Sequence, residues 1–151
     1  MESDPGKINK KIVFAGLDNA GKTSFLIALR QKYNFYEKVK TLKPTIRIEY
    51  SSFEFLKFSR INLWDMGGQA KFRAIYIEDP VYFQNTEYFY YLIDIQDEGN
   101  FNESVSYLNT LLKIYEDLNY SNEIIICFNK YDPNLKDREA YSKKVDQLKM
   151  L

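Results

Sequence analysis

Gly16-Leu17-Asp18-Asn19-Ala20-Gly21-Lys22-Thr23 follows the apolar run Ile12-Val13-Phe14-Ala15 and opens into Ser24-Phe25-Leu26. The order is strand, tight turn, helix. The glycines let the backbone fold so that successive N–H groups point inward, and the helix start adds partial positive charge, so the stretch reads as a phosphate-binding loop. Asp18, Asn19, Ala20, Gly21, Lys22, Thr23 and Ser24 form the candidate cradle. In a loop of this pattern Lys22 reaches the β- and γ-phosphates and the Thr23 hydroxyl binds Mg²⁺.

Working outward, 151 residues suit one domain with one core. Lysine plus arginine and aspartate plus glutamate number 21 each, so no basic excess argues for nucleic acid or an acidic membrane. No apolar stretch is long enough to span a bilayer. Histidine is absent, which removes His-based triads and metal sites. The single cysteine, Cys127, lies in Ile124-Ile125-Ile126-Cys127-Phe128 and reads as a small buried thiol, which fits a reducing cytoplasm. Residues 1–10 begin as the polar Met1-Glu2-Ser3-Asp4-Pro5-Gly6, without the apolar centre of a signal peptide. Glu at position 2 breaks the N-myristoylation pattern, and no Cys near Leu151 is placed for prenylation, so no intrinsic membrane anchor is expected.

Strand-like and helix-like runs alternate from there. Lys11 to Ala15 is the first expected strand, and Ser24 to about Tyr33 the first helix, with Phe25, Ala28 and Leu29 on one face. Ile46 to Phe55 and Ser59 to Met66 read as strands joined by a turn near Phe58. Tyr88 to Ile95 and Glu123 to Phe128 are continuous apolar runs, as in strands buried on both faces. Asn102 to Leu118 carries Val105, Leu108, Leu112 and Tyr115 at helical spacing, capped by Asn102 or a neighbour, and Asp137 to Met150 suits a last helix. This is the order of an α/β protein with a mainly parallel sheet, whose ligands sit at the carboxyl ends of the strands.

Three further constellations fall at such ends. In Leu63-Trp64-Asp65-Met66-Gly67-Gly68-Gln69, Asp65 offers a hard cation oxygen ligation, Gly68 can bring a backbone N–H close to a γ-phosphate, and Gln69 can orient an attacking water. In Asn129-Lys130-Tyr131-Asp132, a buried Asp132 carboxylate accepts two hydrogen bonds at once, the pair that guanine offers from its ring N–H and exocyclic amine. Adenine presents an acceptor there, and would leave the carboxylate unpaired. Asn129 would tie this loop to the phosphate loop, and the Lys130 stem would lie along the base. In Lys43-Pro44-Thr45, the Thr45 hydroxyl can complete the Mg²⁺ shell while a γ-phosphate holds the loop.

With these residues in view, the chain resembles the small GTPase superfamily and, within it, the ADP-ribosylation factor (Arf) family. Carrying the likeness are the loop 16–23, Pro44-Thr45-Ile46, Trp64-Asp65-Met66-Gly67-Gly68-Gln69 with Lys71 and Arg73, Tyr82-Phe83-Gln84-Asn85-Thr86, and Asn129-Lys130-Tyr131-Asp132. The resemblance implies a Ras-like G domain of the P-loop NTPase class over residues 11–151, binding GTP or GDP with Mg²⁺. Lys22, Thr23, Thr45, Asp65, Gly68 and Gln69 would serve phosphate, metal and water, with Lys22 and Gln69 catalytic, while Asn129, Lys130 and Asp132 read guanine. It also implies exchange factors, activating proteins and effectors meeting the switch loops and the aromatics Trp64 and Tyr82, for which plain core packing is the other reading. A cytoplasmic protein recruited to membranes through a partner is the expected setting.

The chain departs from the family at named places. Arg47 stands where members usually carry Gly, and Ile48 where an aromatic is common. The segment from Ala74 to Val81 is longer, so the second switch should be shaped differently. The superfamily pattern continues past Leu151 to a sixth strand, a Ser-Ala-Lys-like loop over the guanine and a final helix, so relative to it the sheet is expected to lack its last strand and helix and leave one face uncovered. No arginine is clearly placed to act in cis. Two other functions stay open: a GTP-binding scaffold subunit that scarcely hydrolyses, and a P-loop ATPase or kinase, which would leave Asn129-Lys130-Tyr131-Asp132 without a purpose.

Overall fold

The computed structural model describes residues 8–30, 39–55, 59–132, 139, 142–143 and 145–146. Five strands, β1 (Ile8–Ala15), β2 (Ile48–Phe55), β3 (Ser59–Met66), β4 (Thr86–Asp94) and β5 (Ile124–Asn129), form one sheet in the order β2-β3-β1-β4-β5. β2 runs antiparallel to β3, and the other neighbours are parallel. This is the mainly parallel sheet that the alternation of elements predicts. Among the described residues three continuous α-helices accompany it: α1 (Lys22–Arg30), α2 (Ala70–Glu78) and α3 (Phe101–Asp117).

Successive residues of a strand face opposite sides, so each buried strand feeds two cores. Val13, Ala15, Tyr91 and Ile93 point into the larger one, with Tyr76 of α2 and Leu111 and Tyr115 of α3. Phe14, Leu63 and Leu92 point the other way, toward Ala20 and Leu26 of α1 and its preceding loop. Phe14 stacks on Tyr90 at 5.0 Å between ring centres, and Tyr115 gathers Phe83, Phe89 and Tyr120 within 5.5 Å. Among the described residues the α1 side keeps a groove of about 460 Å³ between Ile12, Phe25, Leu29, Phe53, Ile61 and Tyr90.

Several sequence expectations are corrected. Leu26 and Phe25 form the inner face of α1, while Ala28 and Leu29, expected beside Phe25, are exposed, Leu29 by 64%. In α3 the buried stripe is Ser104, Tyr107, Leu108, Leu111, Ile114 and Tyr115, while Leu112 faces outward. The phase differs because Ser104 belongs inside: its carbonyl and hydroxyl lie 2.7 and 3.2 Å from the Tyr91 hydroxyl, so a polar residue holds a core position. Asn100 occupies the N-cap of α3 after a 3₁₀ turn over Glu98–Asn100. β5 is only half-buried, with Ile126 43% exposed, because among the described residues it pairs with β4 alone and forms the sheet edge. Cys127 is likewise half-buried, and burial pushes its thiol pKa up, which suits an inert thiol. The turn near Phe58, the end of the first helix past Arg30 and most of the Asp137–Met150 helix lie outside the described residues; Glu139, Ser142, Lys143, Val145 and Asp146 are helical.

Candidate nucleotide site

The site sits where the carboxyl ends of β1, β3, β4 and β5 meet. Phe14 is in register with Asp65, and Asp94 with Asn129, so the loop after β1, the acid of β3 and the loop after β5 share one edge of the sheet. Strand β1 has β3 on one side and β4 on the other, the point where an open α/β sheet leaves a crevice.

A cavity of about 330 Å³ occupies that crevice, lined by Asp18, Asn19, Gly21, Lys22, Thr23 and Ser24, by Leu42, Lys43, Pro44 and Thr45, and by Gly68. Ala20 is buried behind it. Lys22 is buried, and burial lowers its ammonium to about 8 against the opposing pull of Asp65 and Asp18. Its Nζ donates to the Gly16 and Leu17 carbonyls at 3.1 and 2.7 Å, which holds the loop in a ring around the cation. The loop amides and Lys22 together make an anion site.

At the cavity wall three oxygens converge. Thr23 Oγ1 lies 2.8 Å from Thr45 Oγ1 and donates to Asp65 Oδ2, and Thr45 Oγ1 is 3.4 Å from the same carboxylate oxygen. Asp65 is 2% exposed, and its Oδ1 has no hydrogen-bond partner. Burial raises the pKa of this carboxyl, countered by the Thr23 hydrogen bond and the Lys22 charge. An orphaned carboxylate oxygen beside two hydroxyls is a hard oxygen set, which fits Mg²⁺.

Two glycines permit this closeness. A Cβ on Gly68 would stand 2.2 to 2.3 Å from the Leu17–Asp18 peptide, and one on Gly21, whose φ is +85°, would meet Asn129 Nδ2 at 2.3 Å. The chain after β3 is thus docked on the phosphate loop. Gly67 donates its N–H to the Arg47 carbonyl at 2.6 Å, which pins the Thr45 loop from the other side.

Gln69 forms the N-cap of α2 without a side-chain cap bond. It lines an adjoining cavity of about 270 Å³ that shares Leu17, Asp18 and Gly68 with the loop region and also touches Arg73 and Glu103. Arg73 is a neighbour that sequence spacing did not place. Its Nε donates to the Gly68 carbonyl at 2.9 Å, its guanidinium pairs with Glu103 of α3, and it lies 5.0 Å from the Tyr107 ring centre. The segment from Ala74 to Val81 runs through the second half of α2 into a 3₁₀ turn over Pro80–Phe83, which the Asp79 carboxylate caps.

Asn129 Nδ2 donates to the Ala20 carbonyl at 2.8 Å across 109 residues of sequence. Asn129, Lys130 and Asp132 are not part of the lining of the 330 Å³ cavity. Lys130 has φ +60° and its Nζ pairs with Asp94 Oδ2 at 2.7 Å. Asp132 corrects the expectation of burial: it is exposed, because it stands past the end of the edge strand, and it accepts a bond from Gln96 Nε2 at 3.0 Å.

Trp64 and Tyr82 are half-buried. Trp64 meets Tyr50 edge-on at 4.6 Å and carries Lys11 Nζ 3.6 Å above its ring; Tyr82 packs on Tyr76 at 5.4 Å. Arg47, Ile48, Tyr50, Ile75, Tyr76 and Tyr82 line a surface cavity of about 260 Å³.

Residues 3–151 match the profile of the ADP-ribosylation factor family. The chain belongs to that family. One Arf-family relative, ADP-ribosylation factor F of Dictyostelium discoideum, is 31% identical over 127 residues, covering 84% of this chain and 62% of its own length. The chain therefore spans about three-fifths of that relative. A solved structure of the Arl6 BBS3 small GTPase from Trypanosoma brucei, with bound nucleotide analogue GppNp, is similar with a TM-score of 0.57 at 18% identity, over 94% of this chain and 96% of that one. The likeness establishes the Ras-like fold for this Arf-family chain. Among its described residues no helix is long and apolar enough to cross a membrane.

Proposed function

We propose that this Arf-family chain binds GTP and GDP with Mg²⁺ and hydrolyses GTP slowly, as a nucleotide-dependent switch. The observation that carries the reading is the meeting of Thr23, Thr45 and Asp65, with its partnerless Oδ1, at the wall of a cavity built by the phosphate loop. Mg²⁺ held by these three residues supplies charge neutralisation at the phosphates. The loop amides from Asp18 to Ser24 bind the phosphates, Lys22 stabilises the charge that grows on the transferred group, and Gln69 orients the water. Asn129 fixes the base loop to the phosphate loop, Lys130 supports the base, and Asp132 accepts the two guanine N–H groups.

Thr45 sits on a loop joined to Gly67 through Arg47, so loss of the γ-phosphate releases both segments and changes the surface around Trp64 and Tyr82. Exchange factors, activating proteins and effectors would read that surface, in a cytoplasmic protein brought to membranes by a partner. Arg73 is engaged by Glu103 and Gly68, so unaided turnover should be on the order of 10⁻⁴ to 10⁻² per second, rising about 10³- to 10⁵-fold with an arginine from a partner.

Phosphate release from the purified chain and from Gln69→Leu tests the reaction; a much slower variant supports the role, and equal rates remove Gln69 from it. The closed arrangement of Thr45 over Thr23 and Asp65 also suits a scaffold subunit that keeps GTP without turnover. Bound nucleotide that remains GTP for days selects that second reading.

A further inference from the structure

Gln96 follows β4 by two residues and is exposed, so packing does not explain its geometry. Its backbone N–H donates to Asp94 Oδ1 at 3.0 Å, which turns the chain at the strand end. Its side-chain amide spends both N–H groups on the base loop: Nε2 lies 2.7 Å from the Lys130 carbonyl and 3.0 Å from Asp132 Oδ2. The reverse amide orientation would aim Oε1 at two acceptors, so the assignment is chemically forced. Lys130 needs such support. It is a non-glycine residue at φ +60°, its carbonyl also accepts the Asp132 N–H at 3.0 Å, and its ammonium is anchored on the other Asp94 oxygen at 2.7 Å. Asp94 and Gln96 thus brace the loop from β4, while Ile95 N–H bonds to the Asn129 carbonyl at 3.2 Å.

We propose that Gln96 is a positioning residue for base recognition: it sets the plane of the Asp132 carboxylate and the left-handed turn at Lys130. A carboxylate has about four lone-pair sites; two meet a guanine's paired N–H groups, and Gln96 takes a third, which stops rotation about the Asp132 side chain. The inference rests on the guanine-binding reading above and names the residue outside the Asn129–Asp132 motif that makes it selective.

The test compares wild type, Gln96→Ala and Gln96→Glu as full chains, reading dissociation of a fluorescent GDP, displacement by GDP against inosine diphosphate, and single-turnover hydrolysis of pre-bound GTP. Gln96→Ala loses both donors and should release GDP about tenfold faster. Gln96→Glu keeps the shape but places a second carboxylate against two acceptors, so it should be worse than Ala, by about a further tenfold. In both, the preference for GDP over inosine diphosphate, which lacks the exocyclic amine, should shrink, while bound GTP is hydrolysed within twofold of the wild-type rate. A side chain that only filled space would rank Glu above Ala. Gln96→Glu holding GDP like wild type, or better than Gln96→Ala, overturns the inference and leaves guanine binding standing; a wild type that holds no guanine nucleotide overturns both.

Discussion

Thr45 Oγ1 lies 2.8 Å from Thr23 Oγ1, joining a loop residue to the first turn of α1 across 22 positions. On the switch proposed above, this contact would distinguish a γ-phosphate-bound state from a diphosphate state, because Thr45 would reach Thr23 and Asp65 only while its loop is closed. Thr45→Ala should weaken a non-hydrolysable GTP analogue with Mg²⁺ by about tenfold, the worth of one bond to a charged group, and leave GDP within twofold. Calorimetric titration of both nucleotides checks it; equal losses would contradict the role.

Arg47 has φ +60°, at the position where the Arf pattern carries Gly, and its carbonyl receives the 2.6 Å bond from Gly67. A side chain in that backbone region costs about 1 to 2 kcal/mol. Arg47→Gly should be more stable than Arg47→Ala by about 1 kcal/mol, since only the first relieves the Cβ clash. Urea unfolding of the two variants decides, and identical midpoints would count against a strained Arg47.

The core tyrosines and two lysines, half-buried Lys11 and buried Lys22, give opposite pH effects. Burial lowers Lys11 and Lys22 to about 8, so between pH 8 and the free-lysine value the unfolded chain binds more protons and stability rises with pH. Burial raises Tyr91 to about 12 and Tyr107 and Tyr115 further, so above about pH 10 the unfolded chain sheds protons the native one keeps, and stability falls. The urea midpoint of nucleotide-free protein should therefore rise from pH 8, then drop steeply above pH 10. In Tyr107→Phe the drop should be shallower; an unchanged profile would contradict this account.

The Arg73–Glu103 pair ties the helix that Gln69 begins to α3. Glu103 is half-exposed, so Glu103→Ala should cost under about 1 kcal/mol in stability. Its larger effect should be on rate, about three- to tenfold slower single-turnover hydrolysis, because small displacements at a reacting centre are expensive. An unaltered rate would show that α2 keeps Gln69 in place without it.

Contiguous features were legible before the fold was known. The strand, loop and helix around Gly16–Thr23, the strand end at Met66, the β5 run to within one residue of its end at Asn129, and the family likeness all reside in local runs, which periodicity and motif spacing report. Helix phase was harder: Leu111 and Leu112 are both apolar, and only the Tyr91–Ser104 contact decides which faces inward. Pairings across distant sequence, such as Arg73 with Glu103 and Gln96 with Asp132, leave no local signal. The exposure of Asp132 has no sequence signal either, because it follows from the place of β5 at the sheet edge, which only the pairing of strands sets.

In the function proposed above, one nucleotide spans the phosphate cradle at Lys22 and the carboxylate of Asp132. Displacement of bound fluorescent GDP by GTP, ATP and XTP, in wild type and Asp132→Asn, tests it most directly. Wild type should prefer GTP to ATP by about ten thousandfold. Asp132→Asn, which offers one donor and one acceptor, should turn toward xanthine, whose edge presents a carbonyl beside its ring N–H. ATP displacing GDP as well as GTP does, or Asp132→Asn leaving the order of the three nucleotides unchanged, would contradict it.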